Sequence, residues 1–212
     1  MRLSESGQAQ AEIATLQRQI AEVEKQIESD FLAELGVATP KQTALPRAFG
    51  VWWQELERWS VTFNQLATTG VDIHAGRFPA TTLGEIAVVS YGIQKSPLNR
   101  PGTHPRPYLR VANVQRGELD LREMKLINVP DNEMKSYRLE SGDLLVCEGN
   151  SVDLVGRPAL WRDDIPDCVH QNHILKVRLD QHKALPEYVL EYMQTLPART
   201  YFRSRAKFTT NL

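Results

Sequence analysis

Ile13, Leu16, Ile20, Val23 and Ile27 are spaced three, four, three and four residues apart, and Phe31 and Leu35 continue the series. This period lines them along one stripe of an α-helix, with Glu, Gln, Arg and Lys filling the remaining positions, as in a coiled-coil seam. From Ile13 to Phe31 the helix spans about 27 Å at the usual rise per residue. So short a seam is not stable alone, so this helix requires a partner. Gly36 supplies a stop, with Pro40 just beyond it.

After this helix the pattern changes twice. Residues 37–80 read as a linker that carries Trp52, Trp53 and Trp59, and clustered tryptophans in a connection usually dock onto a neighbouring domain. From Leu83 onward short runs rich in β-branched and aromatic residues take over: IAVVS, YLRVANV, MKLINV, DLLVCE and HILKVRL. Turn signals divide them at Arg116-Gly117, Ser141-Gly142, Glu148-Gly149-Asn150 and Ile165-Pro166-Asp167. Two helices follow. One opens at Pro186 with Tyr188, Val189, Tyr192 and Met193 on its apolar face, and the other opens at Pro197. The expected architecture is α+β: a mixed β-sheet domain over 81–212 with C-terminal helices, the linker over 37–80, and a heptad helix over 1–36.

Charge is distributed unevenly. The net charge is −1, yet residues 1–82 hold 7 Lys/Arg against 10 Asp/Glu, and residues 83–212 hold 18 against 16. Lys95 to Lys125 carries seven basic and three acidic residues, and Arg199 to Lys207 carries four basic residues and no acid. Such stripes are the footprint of a phosphate-binding face, although one stripe alone reads more readily as solvated surface. No apolar run is long enough to cross a bilayer, no secretory leader opens the chain, and two cysteines, Cys147 and Cys168, make no disulfide framework. A cytoplasmic protein with reduced thiols is expected.

Catalytic patterns are missing. No Gly-rich phosphate loop follows a strand, and the Asn/Asp-Pro-Pro-aromatic motif of adenine methyltransferases is absent. Asp143, Glu148 and Asp153 lack the Glu-x-Lys partner of a nuclease site. Cys168, His170 and His173 include zinc-ligand types, but on a strand His173 points away from the other two and no second ligand group follows, so a hydrogen-bonding role is expected instead. No catalytic and no metal-binding residue is assigned.

Leu83-Gly84-Glu85-Ile86, the Ser90–Lys95 loop, PYLRVANVQRGELDL, YRLESGDLLVCEGNSVDLVGR with Trp161, IPDCVHQNHILKVR and the closing AKFTT resemble, in order, the target-recognition domains of type I restriction-modification specificity subunits. The helix ending in FLAELG and the following LPRAFGVWWQELERWSVTFN resemble the join between that family's spacer helix and its next recognition domain. A complete subunit has two recognition domains and two spacer helices, so the chain is expected to be a fragment, a truncated product or a half-subunit.

The resemblance implies a non-catalytic module that reads one half of a bipartite site in the major groove of double-stranded DNA. It implies methylation subunits that supply S-adenosylmethionine chemistry and motor-nuclease subunits that supply ATP- and Mg-dependent cleavage, with self-association possible through the N-terminal helix. Arginine and lysine suit guanine edges and amides suit adenine. The DNA-contacting set is expected to be Lys95, Arg100, Arg106, Arg110, Asn113, Gln115, Arg116, Arg205 and Lys207. Glu148, Asn150, Asp153, Arg157 and Gln171-Asn172-His173 match the family more closely and are read as scaffold. Two other readings remain: a decoy that binds methylation subunits without reading DNA, and the recognition part of a single-chain restriction-methylation enzyme.

Overall fold

The computed structural model describes residues 2–37, 48–51, 53, 61, 64, 76–100, 102–148 and 154–206. The chain divides into two compact units, Met1–Thr43 with Val71–Ala80, and Ala44–Gly70 with Thr81–Leu212. Trp52, Trp59, Asn150, Asp153 and the closing AKFTT motif beyond Ala206 lie outside the described residues.

In the first unit, helix α1 runs Arg2–Glu34. Its seam residues Ile13, Leu16, Ile20, Val23 and Ile27 are each more than half exposed, so none of the described residues covers the stripe. The helix ends as the glycine signal predicts. Gly36 adopts φ 67°, its N–H donates to the Ala33 carbonyl at 3.0 Å, and Val37 N–H donates to the Leu32 carbonyl at 3.0 Å. This pair of bonds closes the last turn around a left-handed residue, and Leu32 and Val37, the positions that flank such a turn, are both buried. The Leu35 carbonyl is taken by Arg77 N–H at 2.7 Å.

The second unit opens with a single helical turn, α2 (Leu83–Ile86), pinned by Thr82 N–H donating to the Glu85 carboxylate at 2.9 Å. Among the described residues seven strands follow: β1 (Ala87–Tyr91), β2 (Pro105–Leu109), β3 (Lys125–Asn128), β4 (Leu144–Cys147), β5 (Pro158–Leu160), β6 (Val169–His170) and β7 (Ile174–Leu179). A further helical turn, α3 (Met134–Tyr137), precedes β4, and two helices close the described chain, α4 (Pro186–Gln194) and α5 (Leu196–Arg205). The strands form an antiparallel sheet in the order β1-β7-β4-β5 and a mixed sheet in the order β3-β2-β6, in which β6 runs parallel to β2. The α+β class and the C-terminal helices are as the residue pattern indicates.

Strand β4 is buried at every position because both of its faces are covered. Leu144 and Val146 meet Val189, Leu190 and Met193 of α4, while Leu145 and Cys147 face Leu109, Trp161, Cys168 and Ile174. The helix therefore buries Leu190 where the sequence points to Tyr188, which stays 45% exposed. The second correction concerns YLRVANV, read as one strand. Only its first two residues are extended in β2, and Val111–Asn113 forms a 3-10 turn. The Asn113 side chain accepts from Arg110 N–H at 3.0 Å and folds the backbone back on itself. Strands β5 and β6 were not anticipated, being too short to show alternation.

The two sheets are joined by a short crossing. β6 ends at His170 and β7 begins at Ile174, so the chain passes from the mixed to the antiparallel sheet through Gln171, Asn172 and His173. Gln171 N–H donates to the Leu109 carbonyl at 2.9 Å, Ile93 N–H to the His170 carbonyl at 2.8 Å, and Asn172 N–H to the Ile93 carbonyl at 3.1 Å. Gly92 is required here. A methyl at this position would overlap the His170 carbonyl oxygen and stand 2.5 Å from that of Gln171. We expect Gly92→Ala to lower the urea midpoint by the equivalent of about 2–3 kcal/mol, the range of an overpacked core site. Gly84→Ala, which meets nothing closer than the Thr82 hydroxyl at 4.0 Å, should leave it nearly unchanged.

Candidate functional site

The residues expected to contact DNA fall into three groups. Lys95 and Arg100 are exposed on the segment after Ile93, where Arg100 ends a 3-10 turn, Pro97–Asn99. Arg106, Arg110, Asn113, Gln115 and Arg116 follow along β2 and the turn beyond it. Arg205 is exposed at the end of α5, its guanidinium 5.0 Å over the Tyr201 ring in a cation–π contact. Lys207 lies outside the described residues.

Two of these are committed to the fold. Asn113 is 3% exposed, and its amide nitrogen donates to the carbonyls of Asp120 at 2.8 Å and Glu123 at 3.0 Å. With its oxygen bonded to Arg110 N–H, it has nothing left to offer a base edge. Arg106 is clamped between carboxylates, Nη1 donating to Asp167 at 2.9 Å and Nη2 to Asp131, so it ties β2 to two neighbouring loops. Arg110 is half-committed, its Nη2 donating to the Glu123 carbonyl at 3.1 Å. Gln115 turns its amide onto the Ala112 carbonyl at 2.8 Å.

The basic stripe from Lys95 to Lys125 is correspondingly less positive than its sequence. Arg110, Ala112, Asn113, Asp120, Arg122 and Glu123 line a recess of about 390 Å³. There the Arg122 guanidinium holds the Asp120 carboxyl down at about 2, and Lys125, 3.0 Å from Glu123, lowers that carboxyl too. Cations and carboxylates alternate around the recess. Positive charge gathers instead at Arg116, which Arg157, Arg199 and Arg203 approach from other segments. Sequence reading treats Arg157 as scaffold and the tail as a separate stripe; only folding brings them together.

The Cys168, His170 and His173 set does not assemble. Cys168 and His170 are buried, whereas His173 is exposed and its Nδ1 lies 3.0 Å from Glu148. Burial pushes the Cys168 thiol up to about 12 and, with Lys176 adding to it, the His170 imidazole down to about 4. His170 Nδ1 lies 3.0 Å from the Ile174 carbonyl and fixes the start of β7. Among the described residues no three His, Cys, Asp or Glu side chains are grouped to hold a metal. Asp143, fully buried, accepts Arg178 Nε at 2.7 Å, Arg178 Nη2 at 2.8 Å and Glu140 N–H at 2.8 Å, and so anchors the 140–143 turn to β7. Among the described residues, no helix is long and apolar enough to cross a membrane.

No family model matches the chain. Over 106 residues, 49% of the chain, it is 26% identical to the type I restriction enzyme EcoKI specificity subunit of Escherichia coli (strain K12). Over 106 residues it is also 23% identical to the putative type I restriction enzyme MjaX specificity subunit of Methanocaldococcus jannaschii. Half of the chain is thus similar in sequence to part of two type I specificity subunits. The matches span 23% and 25% of those two proteins, so the matched half of the chain corresponds to about a quarter of each relative's length. Among solved structures, an HsdS subunit from Thermoanaerobacter tengcongensis aligns with 94% of this chain and 40% of its own, at 16% identity and a TM-score of 0.44. A chain of a type I R-M system aligns with 94% of this one and 44% of its own, at 13% identity and a TM-score of 0.42.

Two consequences of this geometry can be measured. Asn113→Ala strands Arg110 N–H and two carbonyls, so it should cost about 2–3 kcal/mol in urea unfolding; a loss under about 0.5 kcal/mol would restore Asn113 as a surface group. The imidazole of His170 takes a proton near 6.5 when unfolded and near 4 when folded. Between those values the unfolded chain binds the additional proton, so stability falls with pH across that window by roughly 3 kcal/mol. Urea midpoints taken between about pH 7 and pH 4 should fall less steeply in His170→Gln than in the parent chain. Parallel curves would mean that His170 titrates normally.

Proposed function

We propose that this chain carries one target-recognition unit of a type I specificity subunit, which reads one half of a bipartite DNA site in the major groove. The match of half the chain to two specificity subunits is the observation that carries this reading. Residues 81–212 would form the recognition unit. Lys95, Arg100 and Arg205, all exposed, are the groups best able to reach base edges or phosphates, and Arg110, Gln115, Arg116 and Lys207 complete the proposed set. Arg106 and Asn113 would hold the reading surface rather than touch DNA.

In this reading α1 is a spacer. Its uncovered seam pairs with a second helix and sets the distance between two recognition units, since a paired helix is a stiff rod of fixed rise. The chain itself is non-catalytic. Methylation subunits transfer the methyl group of S-adenosylmethionine to adenine, and motor-nuclease subunits use ATP and Mg to cleave. This chain sets where they act.

The test is to map methylated adenines in cells carrying the intact system and then to exchange residues 81–212 for the equivalent segment of another specificity subunit. A bipartite motif in which one half changes and the other half and the spacing persist supports the reading. An unchanged motif after exchange overturns it.

A further inference from the structure

Helix α1 segregates its charges around the uncovered seam. Ile13, Ile20 and Ile27 hold one seam position of the heptad, and Leu16 and Val23 hold the other. The residues that border the seam are then Glu12, Gln17, Gln19, Glu24 and Gln26, all of them exposed. These positions meet the flanks of any helix laid along the stripe, so their charge selects the partner. Residues 7–35 hold six acids and only two bases, Arg18 and Lys25, a balance of −4. Both bases fall on the side of the helix opposite the seam, and Arg18 Nε donates to the Ala14 carbonyl at 3.3 Å.

The stripe also has a definite end. Asp30 stands where the next seam residue would fall and accepts from Gln26 Nε2 at 2.8 Å, while the apolar series shifts to Phe31 and the buried Leu32. The free surface therefore runs from residue 13 to residue 27, about 21 Å along the helix. A second copy of α1 fits it poorly. In a parallel pair Glu12 would face Gln17 of the copy and Gln19 would face Glu24; in an antiparallel pair the same acids and amides face one another. Neither arrangement brings a cation to the seam, and each copy adds its own excess of acid. Helices α4 and α5 offer no partner either, since Val189, Leu190, Met193 and Phe202 are packed in the second unit.

We propose that the seam of α1 takes a helix different from itself, one whose apolar stripe is bordered by lysine or arginine. The inference rests on the spacer reading above, which makes the occupant a helix, and adds which helix is accepted. Lysine or arginine on the flanks would pair with Glu12 and Glu24 and give the amides of Gln17, Gln19 and Gln26 donors to accept from. Such charge matching selects a partner more than it tightens the complex, because each flanking pair remains in contact with water. It keeps two copies of this chain from pairing through α1 before the proper helix arrives.

The test uses the 212-residue chain and two designed helical peptides of three heptads, with isoleucine and leucine on the seam. One peptide carries lysine at every flanking position and the other carries glutamate. The lysine peptide should bind about tenfold more tightly at low salt, and the gap should narrow as salt rises. Glu12→Lys with Glu24→Lys should reverse that order, and Ile20→Asp should abolish binding of the lysine peptide. Without peptide, sedimentation should show a monomer at micromolar concentration. Equal binding of the two peptides, or of neither, overturns the proposal. Lysine-peptide binding that survives Ile20→Asp marks a diffuse attraction and overturns it too. A dimer dissociated by Ile20→Asp assigns the seam to a second copy, which sinks the basic partner and leaves the DNA reading standing. A methylation motif unchanged by exchange of residues 81–212 sinks the DNA reading and leaves the peptide preference intact.

Discussion

The fold of the second unit depends on the backbone bonds made by residues 170–172. Gln171 is bonded to the end of β2, while His170 and Asn172 are bonded on either side of Ile93, and three residues later the chain is already in the other sheet. No regular ladder could join two sheets over so short a path, so the junction relies on individual backbone bonds in a dry interior, where each unmade bond is costly. Its neighbours are chosen accordingly. Gly92 leaves room for the His170 carbonyl, the Tyr108 hydroxyl donates to the Ile93 carbonyl at 3.1 Å, and the Gln171 side chain accepts from Val111 N–H at 3.3 Å. This accounts for a run of polar residues that resembles a family motif without presenting a ligand set.

Buried charge serves the same purpose at the opposite end of β7. Lys176 is 5% exposed and donates to the carbonyls of Ser136 at 3.1 Å and Arg138 at 3.2 Å, while Asp143 takes two bonds from Arg178. These groups hold the 136–143 loop against the strand, which keeps α3 and the turn into β4 in place. Arg178 also pairs with Glu140 at 2.8 Å, so it is removal of Arg178 that would strand a buried charge, the Asp143 carboxylate, and loosen the loop.

Surface charge is organised by the same pairing. Arg106, Arg110, Arg122 and Lys125, which look like a phosphate-binding stripe in the sequence, each lie beside a carboxylate or carbonyl. Lys95 and Arg100 are exposed at the start of the same stripe, and Arg116 within it lies near Arg157, Arg199 and Arg203, which come from segments that follow it. Net charge over a window is therefore a weak guide to where an anion binds, because neutralisation depends on which loops fold over which strand.

The residue pattern alone determined the heptad stripe of α1, its end at Gly36, the centres of β1, β3, β4 and β7, and the two proline-led helices. All of these are local, set by periodicity and by backbone preferences within a few residues. Tertiary structure decided the rest. It placed the unanticipated β5 and β6, turned Val111–Asn113 out of the strand, and buried Leu190 in preference to Tyr188. It also took Arg106 and Asn113 out of the set of free polar groups and gathered Arg116, Arg157, Arg199 and Arg203. The physical reason is common to these cases. A donor's availability is fixed by partners far away in the chain, and sequence spacing carries no information about them.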